Sequence, residues 1–406
     1  MLTPVYEAFG MNVLPMKVEQ IVFFLLALAA VYTLWRKDLG TEYSLALVAI
    51  LGFSPIFVGF KENILSDLPF LLFFYLAALI VDSVPTDGMW WPRSFLIGVT
   101  LYLAFGTRSA GIALPAGLAL YEIVKHRKIR LATAVALVVC ASLVFLQRWA
   151  AGFVAGSYTE QTGMISWHSL LRNSWEYSRA LPGFWVGSIH RFSSFMVLIP
   201  ILALTVAGIY CRRDRGLTIV EAFLVPYTVI ILLWPFSAGG RLAFPFLPWL
   251  VMLALTGLSR IAATWIPRHP EIPIWGLLLL LAIPNVQAYR RMEFGPIHEN
   301  IGLPEFSELC NIVRDRTRPE DVFIYYRPRA LALYTGRSAA TYDYLGTDSE
   351  LWQWSREIHA SYLITTTAFD NDGGFLRRFA ENHPSSLELA YHNAKFSLYR
   401  IHSIPE

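Results

Sequence analysis

Val18-Glu-Gln-Ile-Val-Phe-Phe-Leu-Leu-Ala-Leu-Ala-Ala-Val-Tyr-Thr-Leu-Trp35, closed by Arg36 and Lys37, is the stretch that decides the fold. A helix that crosses a bilayer needs about 20 mostly apolar residues, and cytoplasmic loops gather Lys and Arg. A secretory leader would carry a basic start and a small-residue cleavage site; this run has neither. It therefore reads as a span running from outside to inside. Working outward, further apolar runs at 43–60, 65–81, 93–106, 108–124, 129–147, 193–211, 217–236, 242–260 and 272–288 bring the expectation to about ten spans.

The charges between these runs fall into two groups. Alternate gaps carry basic clusters: Arg36/Lys37, Lys125/Arg127/Lys128/Arg130, Arg212/Arg213/Arg215 and Arg260/Arg268. These mark the cytoplasmic face. The remaining gaps carry isolated charges, Lys61/Glu62/Asp67, Arg108 and Arg241, and so belong outside. A composition of 55% hydrophobic and 16% charged residues excludes an ordinary soluble protein. The net charge of +3 is accounted for by topology, and no basic stripe with interleaved aromatics points to nucleic acid. Cys140, Cys211 and Cys310 permit neither a disulfide framework nor a zinc spacing.

Residues 148–192 form a loop too long for a simple connection, rich in aromatics: Phe153, Tyr158, Trp167, Trp175, Tyr177, Phe184 and Trp185. Within it, residues 169–180 have the pattern of an amphipathic helix lying in the outer interface. Past Tyr289 the composition changes. Helices are expected at 304–317 and 347–358, strands at 322–326 and 362–366, and a closing hairpin at 387–391 and 396–401. The fold class is thus an all-α polytopic membrane core over 1–288, with a small soluble extracytoplasmic α/β domain over 289–406.

Three outer segments can carry chemistry. In Lys61-Glu-Asn-Ile-Leu-Ser-Asp-Leu-Pro-Phe70, Glu62 and Asp67 place two carboxylates at the membrane edge. Helix capping by Ser66 or Asp67 is the plain alternative for Asp67. Glu62 has no such role, and ionisable groups near the membrane are functional candidates. In Gly106-Thr-Arg-Ser-Ala-Gly111, Arg108 is either a snorkelling side chain or a phosphate clamp, a permanently charged fork beside small residues. In Gly239-Gly-Arg-Leu-Ala-Phe-Pro245, Arg241 has the same character, with two glycines leaving room for a ligand. Weaker candidates are Glu160, His168, His190 and Arg191 in the long loop. The basic clusters Tyr326–Arg329 and Tyr334–Arg337 lie in the last domain, where a structural role is favoured.

With these residues the chain resembles the polytopic glycosyltransferases that use polyprenyl-phosphate sugars (GT-C fold), among them the protein O-mannosyltransferases and the aminoarabinose transferases. The resemblance covers most of residues 1–260. It rests on Glu62…Ser66-Asp67-Leu-Pro-Phe, on Thr107-Arg108-Ser-Ala-Gly111, and on Arg241-Leu-Ala-Phe-Pro245 opening a late span. It implies a membrane core that binds a lipid-linked donor from the outer leaflet, and a soluble outer domain. It also implies sugar transfer to a lipid, glycan or protein acceptor of the cell envelope, at the outer face of a bacterial inner membrane. Catalytic roles would fall to Glu62 and Asp67. Arg108, Arg241 and Lys61 would bind the lipid phosphate, and a divalent metal ion is the one cofactor it allows.

One departure accompanies the resemblance. The family's first span and acidic first outer loop should precede a segment like Leu2-Thr-Pro-Val-Tyr-Glu-Ala-Phe-Gly10, which here stands at the start. The topology agrees: ten spans put both ends outside, whereas one more restores a cytoplasmic start. The chain is therefore expected to lack that span and its catalytic loop, and Glu7 matches no family motif. Two rivals stay open: a transporter of lipid-linked or anionic substrates, and a non-catalytic scaffold or pseudoenzyme. Charges gathered at one edge and the lack of matching halves weigh against the transporter.

Overall fold

The computed structural model describes residues 3–10, 13–62, 64–83, 90–151, 167–186, 191–234, 239–292, 302–342, 346–368 and 374–402. The chain divides into two compact units, Met1–Met292 and Glu293–Glu406.

The first unit is helical: α1 (Thr3–Phe9), α2 (Val13–Gly52), α3 (Pro55–Glu62), α4 (Asp67–Asp82), α5 (Trp90–Thr107), α6 (Ala113–His126), α7 (Leu131–Ala151), α8 (Trp167–Val186), α9 (Arg191–Arg212), α10 (Ile219–Leu233), α11 (Phe246–Trp265) and α12 (Ile272–Arg291). Each expected span coincides with helix, but not every helix is long enough to cross a bilayer alone. Among the described residues four pass that test: 14–52, 131–150, 246–265 and 272–291. A fifth arises if the pair Leu198–Arg215 and Ile219–Leu233, bent by 119°, is one broken span. For three helices the shortfall is one of length, whereas α5, at 18 residues, falls short in apolarity. At about 1.5 Å per residue, α4, α6 and α10 reach only about 20–24 Å, against a hydrocarbon core near 30 Å.

α2 runs for 40 residues but is broken at Gly40, whose φ of 78° suits glycine. The first two expected spans meet at this break. Nearby, Tyr43 Oη donates to the Pro270 carbonyl at 2.7 Å, tying the break to the α11–α12 connection. α2 packs on α4 and α11, α5 on α7, α6 on α10, and α9 on α11. At the last crossing the backbones touch: a Cβ on Gly208 would stand 2.0 Å from the Leu253 carbonyl oxygen. One on Gly257 would stand 2.2 Å from that of Leu204. Small residues at the contact are how membrane helices gain dispersion energy without a hydrophobic drive between them.

Buried aromatics fill the centre, with Phe57, Phe70, Phe74, Tyr75, Phe223, Tyr227 and Phe244 all under 2% exposed. Outward faces are equally apolar. Leu131, Phe145, Trp275 and Leu279 are exposed, and only 11% of the apolar window of α12 is buried within the protein. That surface suits lipid, and the unit is integral to a membrane.

The second unit is a mixed five-stranded sheet of order β2-β1-β3-β5-β4, with β1 (Val322–Ile324), β2 (Ser338–Ala340), β3 (Ala360–Thr366), β4 (Leu387–His392) and β5 (Phe396–Ile401). β1 pairs in parallel with β2 and β3, while β5 is antiparallel to β3 and β4. Strand alternation sends Phe323 and Ile364 into one core with Phe306 and Phe396. Ile324 and Leu363 enter the other, with Trp352 and Phe379. α13 (Pro304–Arg316), α14 (Pro328–Thr335), α15 (Asp348–Glu357) and α16 (Phe375–Asn382) supply the helices. The expected helices and strands are present; α14, β2 and α16 are additions. Arg337, just past α14, donates to the carbonyls of Arg314 (2.9 Å) and Thr317 (3.0 Å), closing the end of α13.

Candidate functional site

Three loop-proximal segments of the first unit meet at Asp67. It opens α4 and is 1% exposed, yet its carboxylate does not cap the helix. Ser66, in the N-cap position, makes no side-chain cap bond either. Instead Arg108 Nη1 donates to Asp67 Oδ1, and Arg241 Nη2 donates to Oδ2 at 2.7 Å. One buried carboxylate thus organises two guanidinium groups, leaving an excess of one positive charge.

Each arginine is placed by its local fold. Arg108 is extended, at φ −155° and ψ 129°, between α5 and the short 3-10 turn Ser109–Ile112. The chain folds back tightly here, since a Cβ on Gly111 would stand 2.6 Å from the Ala104 carbonyl oxygen. At 15% exposure and turned to Asp67, the Arg108 side chain is held in the protein rather than snorkelling.

Arg241 lies in the 3-10 turn Gly239–Ala243. That turn is fixed by Tyr227 Oη donating to the Leu242 carbonyl (2.8 Å) and Tyr75 Oη donating to that of Pro245 (2.6 Å). Phe244 plugs it into the core, with ring centroids 4.4 Å from Phe60, 5.0 Å from Phe57 and 5.8 Å from Phe184. The Arg241 side chain is 37% exposed, and among the described residues its buried Nε has no hydrogen-bond partner.

α8, the helix read from the sequence as amphipathic, covers this turn. A Cβ on Gly240 would meet Ala180 and Phe184 at 3.1 Å each. The helix is fastened by Asn173, whose amide donates to the carbonyls of Ile231 (3.2 Å), Leu232 (3.0 Å) and Trp234 (2.7 Å). Those carbonyls lie at the C-terminus of α10, where the last turn has no intrahelical donors. Tyr177, one helical turn on, is within electrostatic reach of Arg108. Burial pushes its hydroxyl up to about 12, with the Arg108 charge opposing, so it stays a proton donor. Asn173 and Tyr177 were not among the sequence candidates. The available signal was a polar pair, Ser169 and Asn173, one turn apart on the buried face of an amphipathic helix.

The other candidates divide. α3 ends at Glu62, but the side chains of Lys61 and Glu62 lie outside the described residues. So do Glu160 and His190, and the side chains of His168 and Arg191. Glu7 is exposed on α1. Among the described residues, the donors around Asp67 do not suit a divalent cation. Asp67 has both oxygens engaged by guanidinium groups, whose charge would repel a metal, and no group of three His, Cys, Asp or Glu side chains that could hold one occurs among the described residues. What the cluster can do is accept an anion.

Residues 1–149 match the family model for dolichyl-phosphate-mannose-protein mannosyltransferase. No curated protein sequence matches the chain. Among solved structures, the fold is similar to that of ArnT from Cupriavidus metallidurans bound to undecaprenyl phosphate. The TM-score is 0.54 at 12% identity, over 97% of this chain and 85% of that one. It is also similar to the arabinofuranosyltransferase AftD from Mycobacteria (TM-score 0.57, 12% identity, 98% of this chain and 34% of that one). A third is the Archaeoglobus fulgidus oligosaccharyltransferase in complex with Zn and sulfate (TM-score 0.55, 11% identity, 95% and 61%).

Proposed function

We propose, from a chain whose N-terminal family match and fold both resemble the lipid-phosphate-dependent glycosyltransferases, that it transfers a sugar from a polyprenyl-phosphate donor to an envelope lipid, glycan or protein. The observation that carries this reading is the pair of guanidinium groups held on one buried carboxylate, Arg108 and Arg241 on Asp67. A phosphate monoester or diester is the anion that two guanidinium forks with one surplus positive charge suit. The undecaprenyl phosphate bound to ArnT supports a donor of that chemistry.

In this mechanism the C1–oxygen bond of the donor breaks with both electrons leaving on the lipid phosphate. Arg108 and Arg241 neutralise the charge that develops there, with Tyr177 as a neutral donor beside them. Such preorganised groups are strongest where water is scarce. The acceptor hydroxyl attacks C1 and loses its proton to a carboxylate. Asp67, saturated by its two partners, positions the arginines; Glu62, at the end of α3, is the acid–base helper that we assign to this chain, with Lys61 beside it for the phosphate. We place the reaction at the outer face of a bacterial inner membrane; the basic clusters, which gather at the opposite ends of the helices, support that side. On the same topology the polypeptide forms about ten spans, and residues 289–406 lie outside, on the acceptor's side.

The test is incubation of the purified full chain with radiolabelled polyprenyl-phosphate hexoses and pentoses and envelope lipids. Label should pass to an acceptor, and Arg108→Ala should lower the rate by about 10²–10³-fold, as loss of a preorganised charge stabiliser does. Turnover of Arg108→Ala near that of the unmodified protein removes Arg108 from the mechanism.

A further inference from the structure

A polar cavity of about 160 Å³ lies at the far end of α11 from Arg241. Arg241 precedes that helix and Arg260 lies near its end, so some 19 residues of largely helical chain separate the two clusters, roughly 30 Å at 1.5 Å per residue. The cavity is lined by Asp38, Arg212, Arg215, Thr256, Ser259 and Arg260, with Cys211 at its side.

Its charge balance is incomplete. Asp38 accepts from Arg212 Nη1 at 3.0 Å and lies 2.6 Å from Arg215 Nη1, so one carboxylate again serves two guanidinium groups. Arg260 adds a third cation on the same wall, leaving three positive charges against one negative. Arg212 is more than nine-tenths buried, and among the described residues its Nε has no hydrogen-bond partner. A buried guanidinium that shares its only carboxylate is costly unless a further acceptor reaches it. Thr256 already donates its hydroxyl proton to the Met252 carbonyl at 2.9 Å, so the donors open to a ligand are those of the guanidinium groups.

We propose that this cavity is a second anion site, built for a phosphate group and separate from the Asp67 cluster. The phosphate belongs either to the headgroup of an anionic membrane lipid or to a free phosphate ion. The chemistry is the same in both cases: Arg212 and Arg260 grip the phosphate oxygens, and Asp38 sets the guanidinium planes while limiting their affinity.

Cys211 supplies a local reporter, because it is exposed beside the cavity whereas Cys140 and Cys310 are buried. The full chain in nonionic detergent is alkylated with N-ethylmaleimide, and the rate at Cys211 is read by mass spectrometry. Additions are inorganic phosphate, a short-chain phosphatidate below its micellar concentration, or chloride at equal ionic strength. Phosphate chemistry should slow labelling where chloride does not. The concentration for half protection should rise at least tenfold in Arg212→Gln and several-fold in Arg260→Gln, the latter an exposed residue whose change leaves the Asp38 pairs intact. Asp38→Asn should lower it, an outcome that loss of a merely structural ion pair does not give. Protection by phosphatidate alone assigns a lipid headgroup; equal protection by both assigns the phosphate group whatever carries it. No protection by either, or protection unchanged in both arginine variants, overturns the proposal. The readout sits at Cys211, so it is independent of the Asp67 cluster and of sugar transfer.

Discussion

Asp67 and Asp38 are each held between two arginines, but one is 1% exposed and the other 34%. The motif is the same and its physical consequence is not. At Asp67 the carboxylate and Arg108 (15% exposed) sit at a turn walled by Phe244, Phe184 and α8, and solvent reaches Arg241 (37%) but hardly its partners. At Asp38 water can compensate a lost partner. Burial, more than the list of contacts, separates a cluster that fixes geometry from one that tunes a surface.

The largest expected effect comes from breaking the buried cluster. Asp67→Asn strands Arg108 and Arg241 against each other and should cost about 3–5 kcal/mol, the usual penalty for removing one partner of a buried pair. Thermal unfolding in detergent would read this as a clear fall in midpoint, together with loss of transfer. Next in size is the contrast between the two arginines. Arg108→Ala should cost more in kcat/KM than Arg241→Ala, because Arg108 is 15% exposed against 37%. Equal losses would mean that burial does not set their weight.

Asn173→Ala tests what makes the first site enclosed. It removes the donor to three carbonyls at the end of α10, for about 1–3 kcal/mol of stability, and should loosen α8 from the Gly239–Ala243 turn. Faster hydrogen exchange across α8, with little change at α6–α7, is the expected pattern. A smaller loss of stability than for Asp67→Asn is expected from Asp38→Asn, because Asp38 is 34% and Arg215 47% exposed, although Arg212 at 8% is left without its carboxylate. A loss comparable to that of Asp67→Asn would erase the distinction between the two sites.

Much of this was legible in the sequence, because apolar runs and basic clusters report directly on lipid and topology. The break between the first two expected spans fell at Gly40, a residue whose conformation a helix cannot hold. The runs 322–326 and 362–366 likewise marked strands, and these are β1 and β3 of the sheet. Span number was harder, since an apolar helix such as α4 packs inside the bundle and need not match the bilayer thickness. In the site, the isolated charges named Asp67, Arg108 and Arg241, yet no pattern told that one carboxylate holds both arginines. That contact joins residues 41 and 174 positions apart. Asn173 and Tyr177 stayed hidden because they act through the buried face of a helix whose aromatics dominate its composition. Short elements such as β2 and α16 carry too few residues for periodicity to register.

The account rests on the Asp67-held arginines receiving the phosphate of a polyprenyl chain. A polyprenyl phosphate carrying a diazirine on the isoprene unit next to the phosphate, crosslinked to the full chain and mapped by peptide mass spectrometry, tests this directly. Labelling should fall on the α5–α6 junction around Arg108 and on the turn before α11, and should vanish from both in the double variant Arg108→Ala, Arg241→Ala. Labelling confined to the second unit or to the Asp38 cavity, or undiminished in the double variant, would contradict it.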